Sequence, residues 1–319
     1  MSTLQWLLDS DPALRWQVLR DLTDASPDEV AAERSRVARE GWGARLLSLR
    51  AEDGQWAGGA CFPAAFRGDF STGQPWTSTF PTLTLLRQFG VDPQDPQIRD
   101  TVELVAANCR WEHEGQRFFD GEVEPCINGQ TVSIGAYFGA DVTGIVARLL
   151  TEQLEDGGWN CEAERGSVRS SFHTTICVVE GLLEHERAHG ASPQAREARR
   201  RGERYLLERR LLRRLSTGEQ VDAAFTQFSF PPWWHYDALR ALDHFRAAGD
   251  PPHTELAEGI ELVRSKQQPD GTWLLEGTHR GDVHFELEDG DGRPSRWNTV
   301  RALRVLRWYD AARADGAAR

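Results

Sequence analysis

Residues 154–190 read LEDGGWNCEAERGSVRSSFHTTICVVEGLLEHERAHG. The segment holds a turn at Asp156-Gly157-Gly158-Trp159, then a polar loop with Cys161, then a long apolar helix. The pattern predicts a helix that starts at Ser171-Phe172-His173 and runs to about His189. Ser170 or Ser171 supplies the hydroxyl that caps its first orphan N–H groups, and Gly190 suits the left-handed residue beyond its end. Phe172, Ile176, Val179 and Leu183 recur at helical spacing. Cys177, Val178 and Leu182 make the adjoining face apolar too, so this helix is expected to be buried on most sides.

The rest of the chain repeats this unit. Glu52-Asp53-Gly54-Gln55-Trp56 and Pro269-Asp270-Gly271-Thr272-Trp273 are further copies of the turn. Apolar helices are expected to open at Trp16-Gln17, Trp76-Thr77, Cys126-Ile127, Phe172-His173, Trp234-His235 and Trp297-Asn298, at intervals of 46 to 63 residues. Charged amphipathic helices alternate with them, at about 27–50, 95–109, 141–152, 192–215 and 252–266. Such alternation indicates an internal repeat. An apolar helix needs neighbours on both sides, whereas a charged one needs a single apolar neighbour. Six such pairs closed on themselves give an all-α double ring, an α/α toroid, as one domain over 1–312 with a frayed tail at 313–319. An open helical solenoid is the alternative.

Composition narrows the function classes. The chain has 319 residues, enough to bury a substantial core. No run of about 18 apolar residues occurs, so no membrane span is expected. The start, MSTLQWLLDSDP, lacks the features of a secretory signal. Five scattered cysteines suit reduced thiols in a cytoplasm. The net charge of -12 argues against nucleic acid as a partner. Lys266 is the sole lysine against abundant arginine, which suggests a GC-rich bacterial genome. The arginines of 196–214 suit the solvated face of an outer helix, with an anionic partner as the alternative.

The Asp-Gly-x-Trp turns ahead of apolar helices resemble the repeat of squalene–hopene cyclases and protein prenyltransferase β-subunits. Among these, the chain is most similar to bacterial prenyltransferase/squalene-oxidase repeat proteins. The resemblance implies an α/α toroid whose central funnel takes an apolar, isoprenoid-type small molecule. It also implies a choice of chemistries. The Asp-x-Asp-Asp acid of the class II cyclases is missing; the acidic run from Glu286 to Asp291 has another spacing. Protein prenyltransferases hold zinc with an Asp-x-Cys at one inner-helix start and a His at a later one. Here Glu124-Pro125-Cys126 stands at one start, and His173 in Phe-His-Thr-Thr at the next.

In such a ring the first turns of the inner helices converge. Cys126, His173 and His235 then form a thiolate and two imidazoles of the kind that Zn²⁺ favours with one position open. Glu124 or Asp237 completes the set, and Cys161 lies in the loop above. Without a metal, the same residues recognise a polar substrate head group or are structural: Cys126 is then a small buried apolar residue, His173 bonds a neighbouring loop, and His235 packs on Trp233 and Trp234. Glu124 and Asp237 are the carboxylates nominated as catalytic acids or bases. Trp16, Trp76, Asn128, Phe172, Trp234, Trp297 and Asn298 are nominated to line the substrate funnel; packing between helices is the alternative for each aromatic. Trp56, Trp159 and Trp273 are expected to be structural. Three functions follow: a prenyltransferase- or cyclase-like enzyme, with Cys126, His173 and His235 as ligands if it uses zinc; a class II-like terpene cyclase with a non-standard acid; and a ring that binds a ligand without catalysis.

Overall fold

A computed structural model describes residues 2–190 and 192–317. The protein is all-α. Its helices among the described residues are α1 (Thr3–Leu8), α2 (Pro12–Leu22), α3 (Pro27–Ser35), α4 (Gly41–Ser48), α5 (Thr79–Phe89), α6 (Pro96–Asn108), α7 (Pro125–Phe138), α8 (Thr143–Thr151), α9 (Phe172–His189), α10 (Pro193–Glu208), α11 (Ala238–Ala248), α12 (Ala257–Ser265) and α13 (Arg296–Ala317). The only strands among them are β1 (Trp273–Leu274) and β2 (Pro294–Ser295), an antiparallel pair. No helix among the described residues is long and apolar enough to cross a membrane.

The Trp turn recurs with the same bonds three times. The Trp56, Trp159 and Trp273 indole N–H groups donate to the carbonyls of Leu46, Leu149 and Val263, each at 2.7 Å. Those carbonyls lie in the last turns of α4, α8 and α12, where the regular helical bonding runs out. The three Trp backbone N–H groups in turn donate to the hydroxyls of Thr79, Thr175 and Thr299, in the first turns of α5, α9 and α13. Each indole is fully buried. The residue two before the first and third Trp, and the same place in the second copy, is a glycine at positive φ: Gly54, Gly271 and Gly157. The turn is therefore a clip that ties the end of one helix to the start of the next.

The chain packs as two compact units. The first comprises residues up to Glu33, Leu206–His279 and those from Leu287 onward. Here α2, α11 and α13 share a core that includes Leu14, Val18, Leu239, Leu242, Val300 and Val305. Arg304 of α13 crosses this layer, paired with Asp243 of α11 and bonded to Gln17 of α2 at 3.1 Å. Burial alone pushes the Asp243 carboxyl up, but Arg304 and Arg246 outweigh it and hold the carboxyl below its usual range.

The second unit comprises Arg34–Tyr205 and Arg280–Glu286. Its centre is the pair α7 and α9, which cross at backbone contact. A Cβ on Gly129 would stand 2.6 Å from the Cys177 carbonyl oxygen, and one on Gly181 would drive into the Gly129 carbonyl. No residue but glycine fits this crossing. The returning segment 280–286 bonds the residues ahead of α5, with Trp76 N–H to the Asp282 carbonyl at 2.8 Å. Along α10, Arg196 pairs with Glu186 and Arg204 with Glu197 on the exposed side, whereas Arg199, paired with Glu186 and Glu203, is buried.

Several boundaries differ from expectation. The helix expected over 27–50 is two, because the chain turns at 36–40 and Gly41 takes φ 63°. The Arg-rich helix stops at Glu208, and Arg210 and Leu211 take φ 45° and 65°. α13 continues through Ala317, so residues 313–317 are helical; 318 and 319 lie outside the described residues.

Candidate functional site

The site is built at the starts of α7 and α9. Glu124 is the N-cap residue of α7, Pro125 sets its first turn, and Cys126 follows. The Glu124 carboxylate makes no capping bond to the helix. It accepts instead from the Cys126 thiol, at 3.4 Å. Cys161 approaches from the loop that follows the Trp159 turn. Asn160 fixes that loop, accepting from Glu162 N–H at 2.9 Å and donating to the Arg169 carbonyl at 2.7 Å. The Cys161 sulfur lies 3.5 Å from the Thr174 hydroxyl, in the first turn of α9. One donor atom each from Glu124, Cys126 and Cys161 falls within 4.8 Å of the others, the one such group of three among the described residues.

The electrostatics divide the two thiols. The neighbouring Cys126 favours the Cys161 thiolate, which lowers its pKa against the opposing effect of burial; the Thr174 hydroxyl adds to this. The nearness of Cys161, with burial, pushes the Cys126 thiol well above its ordinary value. Cys161 is therefore the group that ionises first. It is also partly exposed, while Cys126 is buried. The α7 N-terminus adds a favourable field for negative charge at Cys126 and Glu124.

The segment ahead of α7 is strapped in place. Asn128 accepts from Glu122 N–H at 2.8 Å and donates to the Glu122 carbonyl at 2.6 Å. Glu122 in turn accepts from Glu124 N–H at 2.7 Å, and Arg148 donates to the carbonyls of Glu122 and Val123. Asn128, nominated as a substrate contact, is fully buried and acts here as a positioning residue for Glu124.

The remaining nominated residues fall as follows. His173 sits in the first turn of α9, half-buried, outside the group of donors that converges at Cys126. Its neighbour Thr174 faces Cys161, and Thr175 serves the Trp159 clip. Phe172 meets Tyr205 edge to face at 5.5 Å. Trp76 lies ahead of α5 rather than in its first turn, and its indole donates to the Arg280 carbonyl at 3.2 Å.

In the first unit, Trp16 lies in the middle of α2, with the Arg20 guanidinium over its ring at 4.5 Å. Trp297 stacks on Phe230 at 4.3 Å. Asn298 donates to the carbonyls of Phe228 and Leu274, a structural clamp. Trp234 and His235 precede α11, and His235 stacks between Trp234 and His279 at 3.7 and 3.6 Å. Asp237, not Trp234, starts α11, because its carboxylate accepts from Arg240 N–H at 2.7 Å as the N-cap. Burial pushes the Asp237 carboxyl up against the pull of Arg301.

Of the nominated residues the structure thus brings Glu124 and Cys126 together, and adds Cys161. The signal for Cys161 was its place directly after a Trp turn and ahead of an apolar helix. No protein-family model matches the chain, and no curated protein matches it.

Proposed function

We propose that this chain is a zinc-dependent enzyme of the α/α-toroid type, acting in a reducing cytoplasm on an apolar, isoprenoid-type small molecule in a prenyl-transfer-like reaction. The observation that carries the reading is the convergence of Glu124, Cys126 and Cys161. Two thiols and a carboxylate are a donor set that suits Zn²⁺, and three protein ligands leave a position for substrate or water, as in catalytic zinc sites. Zinc bound there supplies a Lewis acid that lowers the pKa of a thiol or water in the open position.

The chain's own residues prepare the site. Thr174 holds the Cys161 sulfur, Asn128 and Glu122 hold the backbone of Glu124, and the Gly129–Gly181 crossing sets the two helix starts side by side. Glu124 is exposed, so it would be the member of the set placed to accept a proton from an incoming group. Asp237 is engaged as a helix cap, which favours Glu124 over it as the working carboxylate.

Metal analysis of the purified protein tests this. After zinc loading and removal of excess, about one equivalent is expected in the wild type. Cys126→Ser and Cys161→Ser should lose it, and His235→Ala should keep it. A metal-free wild type sinks the reading. Loss in His235→Ala with retention in Cys161→Ser would overturn the set of Glu124, Cys126 and Cys161.

A further inference from the structure

We propose that Cys126 and Cys161 also form a peroxide-driven, reversible disulfide that switches the site off. The closure of the disulfide needs only the two thiols; its effect on zinc rests on the zinc site proposed for the same residues.

Three observations carry it. The two sulfurs belong to one group of donor atoms that all lie within 4.8 Å of one another. Cys161 rides on a short 3-10 turn, Cys161–Arg165, in a polar loop, whereas Cys126 is fixed in the first turn of α7. A rotation of the Cys161 side chain, with a small shift of its turn, is the movement required to reach the S–S distance of about 2.05 Å. Of the five cysteines, Cys161 alone is not buried. A peroxide therefore meets Cys161 first, with Cys126 directly behind it.

The steps balance with hydrogen peroxide as the oxidant. The Cys161 sulfur attacks one peroxide oxygen, the O–O bond breaks, and a sulfenic acid and one water result. The Cys126 sulfur then attacks the Cys161 sulfur, the S–O bond breaks, and the hydroxyl leaves with the Cys126 proton as a second water. Two thiols are oxidised to one disulfide and one peroxide is reduced to two waters. A dithiol or glutathione reverses the change by exchange. The disulfide leaves Glu124 as the sole good zinc donor of the three, so the metal is released.

The test uses the full chain, reduced, zinc-loaded and freed of reductant, then treated with equimolar hydrogen peroxide. The expected result is a mass lower by two hydrogens, a cross-linked peptide pair containing Cys126 and Cys161, release of the bound zinc, and full reversal by dithiothreitol. Cys126→Ser should instead gain oxygen at residue 161, and Cys161→Ser should stay unoxidised. A wild type that gains oxygen without losing two thiols, or that cross-links another pair, overturns the proposal. Peptide mapping of the wild type decides the matter even if a serine variant folds poorly. The two ideas fail separately. A zinc-free protein that still forms the disulfide defeats only the metal reading. A zinc-loaded protein that keeps both thiols under peroxide defeats only the switch.

Discussion

Glu124 and Asp237 are both N-cap carboxylates, one at the start of α7 and the other at the start of α11. Asp237 is buried and engaged by its own helix at Arg240 N–H, with Arg301 at 4.0 Å. The Glu124 carboxylate makes no capping bond to its helix and is exposed, and it accepts from the Cys126 thiol. The same position in the local pattern therefore gives a structural group in one unit and a chemical one in the other. What separates them is whether backbone and arginine satisfy the carboxylate before a ligand arrives. A buried charge that is fully paired contributes order; a half-satisfied one at an accessible helix start is available for chemistry.

Stability should fall most where a buried ion pair is broken and least where a capping or exposed carboxylate is neutralised. The largest loss is expected for Arg304→Met. It leaves Asp243 in the α2–α11–α13 layer with Arg246 as its main partner, and unfolding free energy should fall by about 3–5 kcal/mol in denaturant titrations. The pH dependence has a definite sign. The folded Asp243 carboxyl lies below its unfolded value, so its contribution is complete above about pH 4 and is lost as pH falls through the folded value. The deficit of Arg304→Met should therefore shrink on acidification. A constant deficit from neutral to acid pH would show that Arg304 stabilises by packing alone.

Next comes Gly181→Ala in the second unit. The added methyl meets the Gly129 carbonyl, so α7 and α9 must part. A cost of about 1–3 kcal/mol is expected, together with weaker zinc retention, because the same crossing aligns Cys126 with Thr174 and Cys161. Unchanged zinc affinity in a destabilised Gly181→Ala would show that the site does not depend on the crossing.

The smallest stability changes sharpen the comparison most. Asp237→Asn keeps a good capping side chain, and should alter stability by less than about 1 kcal/mol. Glu124→Gln, at an exposed position, should alter it by less than about 0.5 kcal/mol, yet weaken zinc binding and abolish any turnover. If the two variants behave alike in metal content, the division between structural cap and chemical carboxylate is wrong.

The local elements were legible in the sequence because they depend on near neighbours. The segment from Ser171 to Gly190 carries its own cap, periodicity and end signal, and the structure has α9 at Phe172–His189 with Ser171 as its cap. The Asp-Gly-x-Trp turns marked three equivalent places, and the indoles of Trp56, Trp159 and Trp273 are structural clips there. Glu124-Pro125-Cys126 was visible as a helix start bearing a carboxylate and a thiol. The starts of α5 and α11 were less legible. Trp76 and Trp234 resemble the other openings, but the helices begin after Ser78 and Asp237, whose own conformations set the boundary.

Which side chains meet at the site was decided only in three dimensions. Successive helical residues point about 100° apart, so alignment of helix starts cannot choose among Phe172, His173 and Thr174. The backbone contact of α7 with α9 at Gly129 and Gly181 fixes that rotation and turns Thr174 toward Cys161. The loop that carries Cys161 is held by Asn160, which bonds within the loop itself, and by Asp156, which accepts from Ser170 N–H at 3.0 Å. Helices are written in local pattern; the meeting of Glu124, Cys126 and Cys161 depends on a crossing and a loop closure between residues far apart in the chain, where sequence spacing carries no angle.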